Sequence, residues 1–271
     1  MFSVVIPLYN KELSISNTIQ SVLDQTFQDF EIVIVNDGST DNSVKEVEKF
    51  DDKRIRLIHQ ENQGVSAARN RGIEEAKYEW IAFLDGDDLW MENHLETLKD
   101  MISQYPNDKV FTTSFVFSDY KNLKELGKSF SYTRVENFCE ASLNHSNKNI
   151  TSSITICIHK IVFKNIGGFN ASYIRGEDVD LWIRTSKSYD IIYTKKVTAI
   201  YRKEAENRSD VSHVSVKKTF LANIDFKNIK NKYERKYYQY FLMNSVKGSI
   251  LRRKWKDLFY VLFKYNYNIF I

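Results

Sequence analysis

The amino-acid sequence predicts an α/β fold, in which helices flank a mostly parallel central sheet and a helical extension follows at the C-terminus. Three observations lead to this prediction. Short apolar runs of strand type alternate with stretches of helical periodicity along the first hundred residues. Turn-forming polar residues follow several of these runs. Hydrophobic residues make up 42% of the 271 residues and charged residues 27%, which is typical of a folded globular chain.

The first half of the chain contains predicted strands that alternate with predicted helices. The strands are expected at residues 3–7, 30–35, 54–59 and 80–84. Helices are expected at residues 13–23, after a cap at Thr40 or Asp41, and at residues 66–76. This alternation predicts parallel pairing with helices on both faces. Such sheets bind ligands at the carboxyl ends of their strands, where Tyr9, Asp37 and Asp85 fall.

The second half of the chain has a looser pattern and a different charge. The expected elements are a helix at 91–103, strands at 109–117 and 154–158, a helix from Glu177, and strands near Ile191 and Thr198. Residues 217–271 contain 13 Lys and Arg against 3 Asp and Glu, a balance of +10. Residues 1–216 carry 26 basic against 32 acidic side chains, a balance of −6. We therefore predict one domain over residues 1–216 and a basic, aromatic extension over residues 217–271.

The cysteines and the apolar runs bear on the compartment. Cys139 and Cys157 are too few and too far apart for a disulfide framework or a metal site, which favours a reducing cytosolic compartment. The first residues lack the basic region of a signal peptide. No apolar run approaches the ~18 residues that a membrane-spanning helix needs. The sequence therefore predicts a cytosolic protein.

Carboxylates cluster directly after the strand expected at 80–84. Asp85, Asp87 and Asp88 would repel one another on folding unless a cation neutralises them. Hard carboxylate oxygens suit Mg²⁺ or Mn²⁺. The same residues could also form a solvated acidic turn with a helix N-cap at Asp88, so the motif alone leaves both interpretations open.

Further polar motifs give weaker signals when each is taken alone. Asp37 in NDGSTD could accept hydrogen bonds from a base or a ribose, or it could form a plain Asp-Gly turn. Arg69, near the start of a helix, could reach a phosphate or lie on the surface. Glu177 and Asp178 in GEDVDLW could supply a general base, or they could stabilise a helix start through its dipole.

The order of the motifs is more informative than any one of them. IPLYN, NDGSTD, ENQGVSAARN, FLDGDD and GEDVDLW follow one another along the chain. This succession resembles the family 2 glycosyltransferases over residues 1–205, with the first four motifs at the expected spacing. The resemblance implies the GT-A fold, which has a Rossmann-like sheet. It also implies a nucleotide-sugar-binding half at residues 1–105 and an acceptor-binding half at residues 106–216.

The resemblance implies a role for each matching residue. Asp178 would be the catalytic base, with Glu177 beside it, and Asp87 would bind the Mn²⁺ or Mg²⁺ that bridges the donor diphosphate. Asp85 would face the ribose and the sugar and is the second candidate metal ligand. The residues implied in nucleotide-sugar binding are Pro7, Leu8, Tyr9, Glu12, Asp37, Asn62, Arg69, Asp85, Gly86 and Arg202.

One departure from the family pattern affects the metal site. Many relatives carry Tyr-Arg-x-His after the last core strand, and that His can ligate the metal. The corresponding residues here are Tyr201, Arg202, Lys203 and Glu204. The substitutes for the missing imidazole are Glu204, which would offer a harder oxygen ligand, or His213 from the next segment.

The implied roles describe an inverting transfer. Asp178 would remove the proton of an acceptor hydroxyl while its oxygen attacks the anomeric carbon of a nucleotide-diphosphate sugar. A UDP-hexose or UDP-N-acetylhexosamine is the expected donor, and a lipid-linked or growing saccharide of bacterial surface polysaccharide is the expected acceptor. One alternative is an inactive, membrane-associated binding module, which would not need the intact carboxylates. Another is a nucleotidyltransferase, although no Gly-rich basic loop follows the first strand.

The extension suggests a membrane partner. Its apolar residues Trp255, Leu258, Phe259, Leu262 and Phe263 recur at helical spacing among basic side chains. This pattern is typical of an interfacial amphipathic helix and predicts peripheral attachment to anionic lipid on the inner face of the cell membrane. The alternative is that the stripe packs on the body or against a second copy, so an oligomer remains open. No nucleic-acid partner is expected, because no binding motif accompanies the basic charge.

Overall fold

The computed structural model describes residues 1–119, 131–145, 149–207 and 214–266. The strands are β1 Phe2–Leu8, β2 Phe30–Asp37, β3 Ile55–Gln60, β4 Trp80–Phe83, β5 Leu89–Trp90, β6 Val110–Phe117, β7 Tyr132–Val135, β8 Ile156–His159 and β9 Ile191–Tyr201. The α-helices are α1 Ile15–Leu23, α2 Ser43–Glu48, α3 Val65–Glu75, α4 His94–Gln104, α5 Phe138–Asn144, α6 Lys160–Ile166, α7 Glu177–Ser186, α8 Lys232–Leu251 and α9 Trp255–Tyr265.

The strands of the described residues form one sheet with a parallel half and a mixed half. The strand order is β3-β2-β1-β4-β8-β6-β9-β5, with β7 paired to β9. β1 is parallel to β2 and β4, and β2 is parallel to β3. β8 is antiparallel to β4 and β6, whereas β9 is parallel to β6 and antiparallel to β5 and β7. The predicted α/β class is confirmed, and the antiparallel strands of the second half make the sheet a mixed one.

Hydrophobic cores cover both faces of the sheet. Val5 of β1 packs in one core with Ala68 of α3, whereas Val4 packs in the other with Ile19 of α1 and Leu98 of α4. Successive residues of a strand point to opposite faces, so a strand covered on both sides is apolar along its whole length. All of β1 is buried, which explains the continuous apolar run that the sequence shows there.

Close packing of α3 on β1 fixes the position of the site residue Arg69. A Cβ atom at Gly72 would lie only 2.2 Å from Val5 Cγ1, so only glycine permits this approach of helix and strand. Arg69 lies one turn earlier on the same helix and is buried. The glycine therefore helps to hold the guanidinium at the carboxyl edge of the sheet.

Some expectations about individual elements need correction. Leu13 lies outside α1 and is exposed, because the helix begins only at Ile15. The strands expected near Ile191 and Thr198 are one strand, β9, whose register against β6 shifts along its length. The elements β5, β7, α5 and α6 were not predicted. They contain only 2, 4, 7 and 7 residues, and β7 (YTRV) lacks the apolar run by which the equally short β4 (WIAF) was predicted.

The extension folds back onto the body. Phe220, Tyr237 and Val261 belong to the same hydrophobic core as Trp182 of α7. The division into residues 1–216 and 217–271 stays a prediction, since the apolar side chains on its two sides share a core. Among the described helices, none combines the length and the hydropathy that crossing a bilayer requires.

Candidate active site

The predicted site residues meet at the carboxyl edge of the parallel strands. β1 ends at Leu8, β2 ends at Asp37, and Asp85 follows shortly after the end of β4. Because β1 lies between β2 and β4 and is parallel to both, the three ends lie side by side. The α/β pattern thus brings together residues that are distant in the sequence.

Arg69 joins two of the predicted acids. Its Nη2 donates to Asp85 Oδ1 at 2.6 Å, and its Nη1 donates to Glu177 Oε1 at 2.9 Å. The guanidinium is buried, and its carbon lies 5.2 Å from the centroid of the Phe169 ring. Burial opposes the charge, but the carboxylates of Asp85 and Glu177 outweigh it and raise the pKa of Arg69. The buried guanidinium of Arg69 therefore holds Asp85 close to Glu177 at the start of α7.

Glu177 and Asp178 occupy the first turn of α7. Glu177 is buried and Asp178 is half-buried, with Asp178 Oδ1 accepting the Val179 N–H at 2.7 Å. Burial raises the pKa of Glu177 to about 7; the charge of Asp178 raises it further and that of Arg69 opposes the rise. Burial also raises the pKa of Asp178, again against the effect of Arg69. Carboxylates whose pKa values are raised in this way are suited to general-base chemistry near neutral pH.

Asp87 is paired with a lysine. Lys11 Nζ donates to Asp87 Oδ2 at 2.6 Å, to the backbone oxygen of Glu206 at 2.6 Å and to that of Asn207 at 3.1 Å. Burial raises the pKa of Asp87, and the Lys11 ammonium opposes this rise. One cation is therefore held by a carboxylate oxygen and two carbonyl oxygens at the carboxyl edge of the sheet.

Asp37 organises the loop that precedes α3. Its carboxylate accepts hydrogen bonds from the backbone N–H groups of Gln63 at 2.9 Å and Gly64 at 2.8 Å, and from Gln60 Nε2 at 2.7 Å. Asn62, in the same loop, is exposed. Contacts of Asp37 and Asn62 with a nucleotide stay predictions, and in this structure Asp37 binds the protein's own loop.

The remaining nucleotide-binding candidates surround the end of β1. Pro7 and Leu8 are buried within the strand, whereas Tyr9 is 41% exposed. Gly86 packs beneath them, since a Cβ atom there would lie 3.2 Å from the Pro7 backbone oxygen. Glu12 accepts a backbone N–H from the turn before α2 at 2.9 Å. Of this group, Tyr9 presents a ring to solvent, as stacking on a base would require.

The family described as "Glycosyl transferase family 2" matches residues 3–167. The chain belongs to this family. Its relative WfgD of Escherichia coli, named as a UDP-Glc:alpha-D-GlcNAc-diphosphoundecaprenol beta-1,3-glucosyltransferase, is 31% identical over 196 residues, which cover 70% of this chain and 72% of WfgD. The chain spans about half or less of the length of other curated relatives, namely 47%, 18% and 35%.

Solved structures support the fold of this family 2 member. Staphylococcus aureus TarS residues 1–349 in complex with UDP-GlcNAc is similar with a TM-score of 0.75 and 18% identity, covering 99% of this chain and 81% of that one. The mannosyltransferase PcManGT of Pyrobaculum calidifontis, in complex with GDP-Man and Mn²⁺, has a TM-score of 0.58 and 19% identity, covering 74% and 56%. At these identities the likeness concerns the fold, and it confirms the GT-A architecture.

The residue that departs from the family pattern does not contact Asp87. Glu204 accepts hydrogen bonds from Ser118 Oγ at 2.5 Å and from Arg202 Nε at 3.1 Å. The Arg202 backbone N–H donates to Asp88 Oδ1 at 2.8 Å, which ties the end of β9 to the acidic turn. His213 lies outside the described residues. The role of Glu204 as a metal ligand stays a prediction.

The chemistry around Asp87 fits a divalent cation. Mg²⁺ typically takes one or two protein carboxylates and completes its shell with substrate phosphates and water. Asp87 and the carbonyl groups of Glu206 and Asn207 already surround one positive charge with hard oxygens. Asp85 is engaged by Arg69 and also accepts the Ser153 hydroxyl at 3.3 Å. Within the described ranges, no group of three His, Cys, Asp or Glu side chains forms a protein-only metal cage.

Some residues of the site were not predicted from the sequence. Lys11 contacts Asp87, Ser153 contacts Asp85, and the carbonyl groups of residues 206 and 207 contact Lys11. Lys11 had a signal, because it lies directly after IPLYN at a strand end next to that of the acidic motif. Ser153 had none, because it lies in an irregular loop before β8.

Proposed function

We propose that this family 2 protein is an inverting glycosyltransferase that moves a hexosyl or N-acetylhexosaminyl group from a UDP-sugar to an acceptor hydroxyl. The acceptor is proposed to be a lipid-linked or growing saccharide of bacterial surface polysaccharide. WfgD supports this class of acceptor by its name, and the TarS complex supports a UDP-sugar donor.

A single observation carries the proposal. Arg69 bonds both to Asp85, the first acid of the FLDGDD motif, and to Glu177, the neighbour of the proposed base. The donor side and the acceptor side of the reaction therefore share one buried cation. A binding module has no need of carboxylates with raised pKa values beside this cation, whereas a transferase needs one of them as its base.

The proposed chemistry is a single displacement. Asp178 accepts the proton of the acceptor hydroxyl while that oxygen forms a bond to the anomeric carbon. The bond from this carbon to the diphosphate oxygen breaks, and its electron pair leaves with the nucleoside diphosphate. Inversion follows because attack and departure occur on opposite faces of the sugar. Arg69 keeps Glu177 in place beside the base.

We further propose that Asp87 holds a divalent ion, Mn²⁺ or Mg²⁺. When bound, the ion supplies positive charge that stabilises the departing diphosphate. PcManGT is in complex with Mn²⁺, which supports metal use within this fold. The residues of this chain for that position are the Asp87 carboxylate and the carbonyl groups of Glu206 and Asn207, once Lys11 has moved away from them.

A screen of nucleotide sugars tests the proposed function. The purified protein is incubated with UDP-glucose, UDP-galactose, UDP-GlcNAc, UDP-GalNAc and GDP-mannose, each with Mn²⁺ and with EDTA, in the presence of a prenyl-diphosphate-linked GlcNAc acceptor. We expect metal-dependent release of UDP from at least one UDP-sugar. A parallel incubation contains UTP and a sugar 1-phosphate. Release of pyrophosphate there, with no reaction of any nucleotide sugar, would instead indicate a nucleotidyltransferase.

We propose that α9 attaches the protein to an anionic membrane surface, on the inner face of the cell membrane. Trp255, Phe259 and Phe263 recur every four residues on the outer face of α9, with exposed fractions of 53%, 52% and 83%. Leu258 and Leu262 of the predicted apolar stripe face the body instead, since Leu258 is buried and Leu262 is partly buried against the core. The stripe is therefore divided between an exposed edge and an edge that packs on the body. Four exposed basic residues lie just before α9 or beside its exposed aromatic rings, namely Arg252, Arg253, Lys254 and Lys256.

Vesicles test the membrane partner. Cosedimentation is measured with phosphatidylglycerol vesicles and with phosphatidylcholine vesicles, at low and high salt. We expect binding to the anionic vesicles that weakens with salt, because each basic residue near such a surface contributes about 1 kcal/mol. Replacing the three outer rings by serine should abolish the binding. Equal binding of wild type and triple variant would contradict the proposal.

A further inference from the structure

The segment immediately before the proposed base is bonded to the C-terminal extension. The backbone N–H of Ile174 donates to the backbone oxygen of Lys218 at 2.8 Å. Arg175 and Thr219 form an isolated parallel bridge. Gly176 follows in the left-handed region, with φ +76°, and precedes the first turn of α7. The extension thus acts as a strand-like support for the residues that lead to Glu177.

Phe220 of the extension packs directly on Gly176. A Cβ atom at Gly176 would lie 2.3 Å from Phe220 Cδ1 and 2.7 Å from its Cε1, so the ring fills the space that any side chain would need. The Gly176 carbonyl accepts the Asp180 N–H at 3.0 Å, which makes it part of the first turn of α7. The ring therefore packs against the backbone from which Glu177 and Asp178 project.

A chain of aromatic contacts holds the Phe220 ring from behind. The centroids of Phe220 and Phe241 are 5.2 Å apart, those of Phe241 and Tyr237 are 5.1 Å apart, and those of Tyr237 and Phe138 are 5.7 Å apart, all edge to face. Tyr237 is fully buried. Burial raises the pKa of Tyr237, and the charge of Asp178 adds to the rise. This row of rings, the aromatic ladder, therefore begins at the Phe220 contact with Gly176 and includes a tyrosine close enough to Asp178 to feel its charge.

The outer helix α9 holds the same turn from the other side. The Tyr265 hydroxyl donates to the Leu221 backbone oxygen and accepts the Ile224 N–H at 3.4 Å. The Tyr260 hydroxyl donates to the Ala222 backbone oxygen at 3.3 Å. The turn that carries Phe220 is thus fixed by the aromatic ladder and by the helix that carries the exposed rings.

The structure assigns Phe220 as a positioning residue for the proposed transfer: by filling the space over Gly176, it fixes the first turn of α7 and the direction in which Asp178 projects. This assignment rests on the proposed function for its catalytic consequence. Its structural part, that Phe220 orders the start of α7, stands independently. Phe220 itself does not touch substrate in this scheme, and it acts through Gly176.

Loss of the ring should slow turnover without weakening donor binding. Without Phe220, Gly176 regains the torsional freedom of a residue that has no Cβ. A misplacement of about 1 Å can cost on the order of 10²-fold in rate, even when its cause lies outside the reacting groups. We therefore expect Phe220→Ala to lower kcat by about 10- to 100-fold. The donor KM and the affinity for UDP should change far less than kcat, because the ends of β1, β2 and β4 keep their places and only the Glu177 contact of Arg69 lies on the displaced turn.

The experiment compares Phe220→Ala with Phe226→Ala. Phe226 is a matched control, because it is equally buried in the extension and packs on Tyr238 and Tyr265 rather than on Gly176. Hydrogen exchange followed by mass spectrometry is read on peptides that cover residues 172–183, together with kcat, donor KM and UDP affinity. Phe220→Leu, which keeps an apolar side chain, serves as the folded substitute if the alanine variant fails to fold.

A second pair of variants tests the contact itself. Gly176→Ala should disrupt the start of α7, because its Cβ atom collides with the ring and its backbone has positive φ. Combining it with Phe220→Ala removes the collision, so the double variant should exchange more slowly than the product of the two single effects predicts. Strict additivity of the two single effects would overturn the assignment.

The outcomes separate this inference from the proposed function. Faster exchange over residues 172–183 and a fall in kcat for Phe220→Ala, neither of them seen for Phe226→Ala, support the assignment. Equal effects of both variants, or unchanged exchange in Phe220→Ala, overturn it. If the wild type transfers no sugar, the proposed function fails, and the exchange measurement still decides whether Phe220 orders α7.

Discussion

The carboxyl edge of the parallel strands, called the donor edge below because it carries the proposed donor site, and the C-terminal extension are held together by different interactions. At the donor edge, oppositely charged groups pair at hydrogen-bonding distance, as Lys11 does with Asp87 and Arg69 with Asp85, each at 2.6 Å. In the extension, rings pack edge to face, as Tyr237 does with Phe241. One region depends on charge and the other on shape.

This difference determines what each region can do. In a charge pair, a ligand can replace the partner whose sign it shares, because the group that stays behind is again paired with an opposite charge. A packed ring has no such substitute, and its removal leaves a cavity. The donor edge is therefore suited to binding and releasing a charged ligand, and the extension is suited to holding a geometry constant.

The largest expected effect tests the charged region. Asp87→Ala should abolish sugar transfer, because it removes the carboxylate proposed to hold the metal. EDTA should inhibit the wild type, and Mn²⁺ or Mg²⁺ should restore it. Asp52→Ala is the matched control, since Asp52 also pairs with a cation, Arg54 at 2.7 Å, but lies away from the site. Full activity of the wild type in EDTA would remove the metal from the scheme.

The next effect separates the base from its neighbour. Asp178→Asn keeps the size of the side chain but cannot accept a proton, so turnover should fall by roughly 10²–10⁴-fold. Binding of the donor should change little. Turnover is measured beside Glu177→Gln. Normal turnover in Asp178→Asn, with a loss in Glu177→Gln, would move the base to Glu177.

A smaller effect tests whether the cation at Asp87 can be exchanged. Removing Lys11 frees Asp87, so Lys11→Met should raise the affinity for Mn²⁺ in the absence of donor by about 5- to 10-fold, equivalent to about 1–1.4 kcal/mol. Binding is measured by electron paramagnetic resonance of free Mn²⁺. Lys203→Met removes the same charge from a lysine that pairs with Asp119 instead. An equal gain in both variants would mean that only net charge matters.

The two regions also differ in how far the sequence predicts them. The strands that end at Leu8 and Asp37 and the strand before Asp85 were predicted almost to the residue, because a strand buried on both faces is apolar throughout and a polar turn ends it. The motifs that follow such strands must meet at one edge, so most of the candidate site followed from local sequence. The contact of Lys11 with Asp87 spans 76 positions, and no local pattern encodes it.

The extension could be predicted only in part. Its helical stripe was evident, but helical spacing alone cannot say which residues face the body. Leu258 and Phe259 are neighbours in the sequence, yet the first is buried and the second exposed. The packing of Phe220 on Gly176 depends on a glycine that the sequence marks only as a helix start. Shape complementarity between distant segments leaves no periodic signal.

The pH dependence of stability is a further test of the charged region. Glu177 ordinarily titrates near 4.5, and burial raises its pKa to about 7 in the folded protein. Between these values the folded state binds more protons at this site than the unfolded state. The contribution of Glu177 to the free energy of unfolding therefore falls as pH rises from about 4.5 to about 7. Denaturant titrations at a series of pH values give the free energy of unfolding, which should fall less steeply with pH over this interval in Glu177→Gln than in the wild type. The same slope in both proteins would contradict the raised pKa of Glu177.

The smallest expected effects are changes in stability within helix α9, where a buried and an exposed residue lie two positions apart. Val261 is fully buried in the core shared with α7, whereas Phe263 is 83% exposed. Val261→Ala should lower the free energy of unfolding by about 1–3 kcal/mol, because it leaves a cavity. Phe263→Ala removes a larger side chain but should change stability by less than about 0.5 kcal/mol.

Denaturant unfolding of both variants checks this order, with vesicle binding measured on the same samples. We expect Val261→Ala to keep its vesicle binding under native conditions and Phe263→Ala to lose part of it. A helix that only packs on the body would show the reverse, with a stability cost at both positions and no lipid effect at either. The loss of stability would then follow the size of the side chain removed. The structure indicates instead that it follows the face of α9 on which the side chain lies.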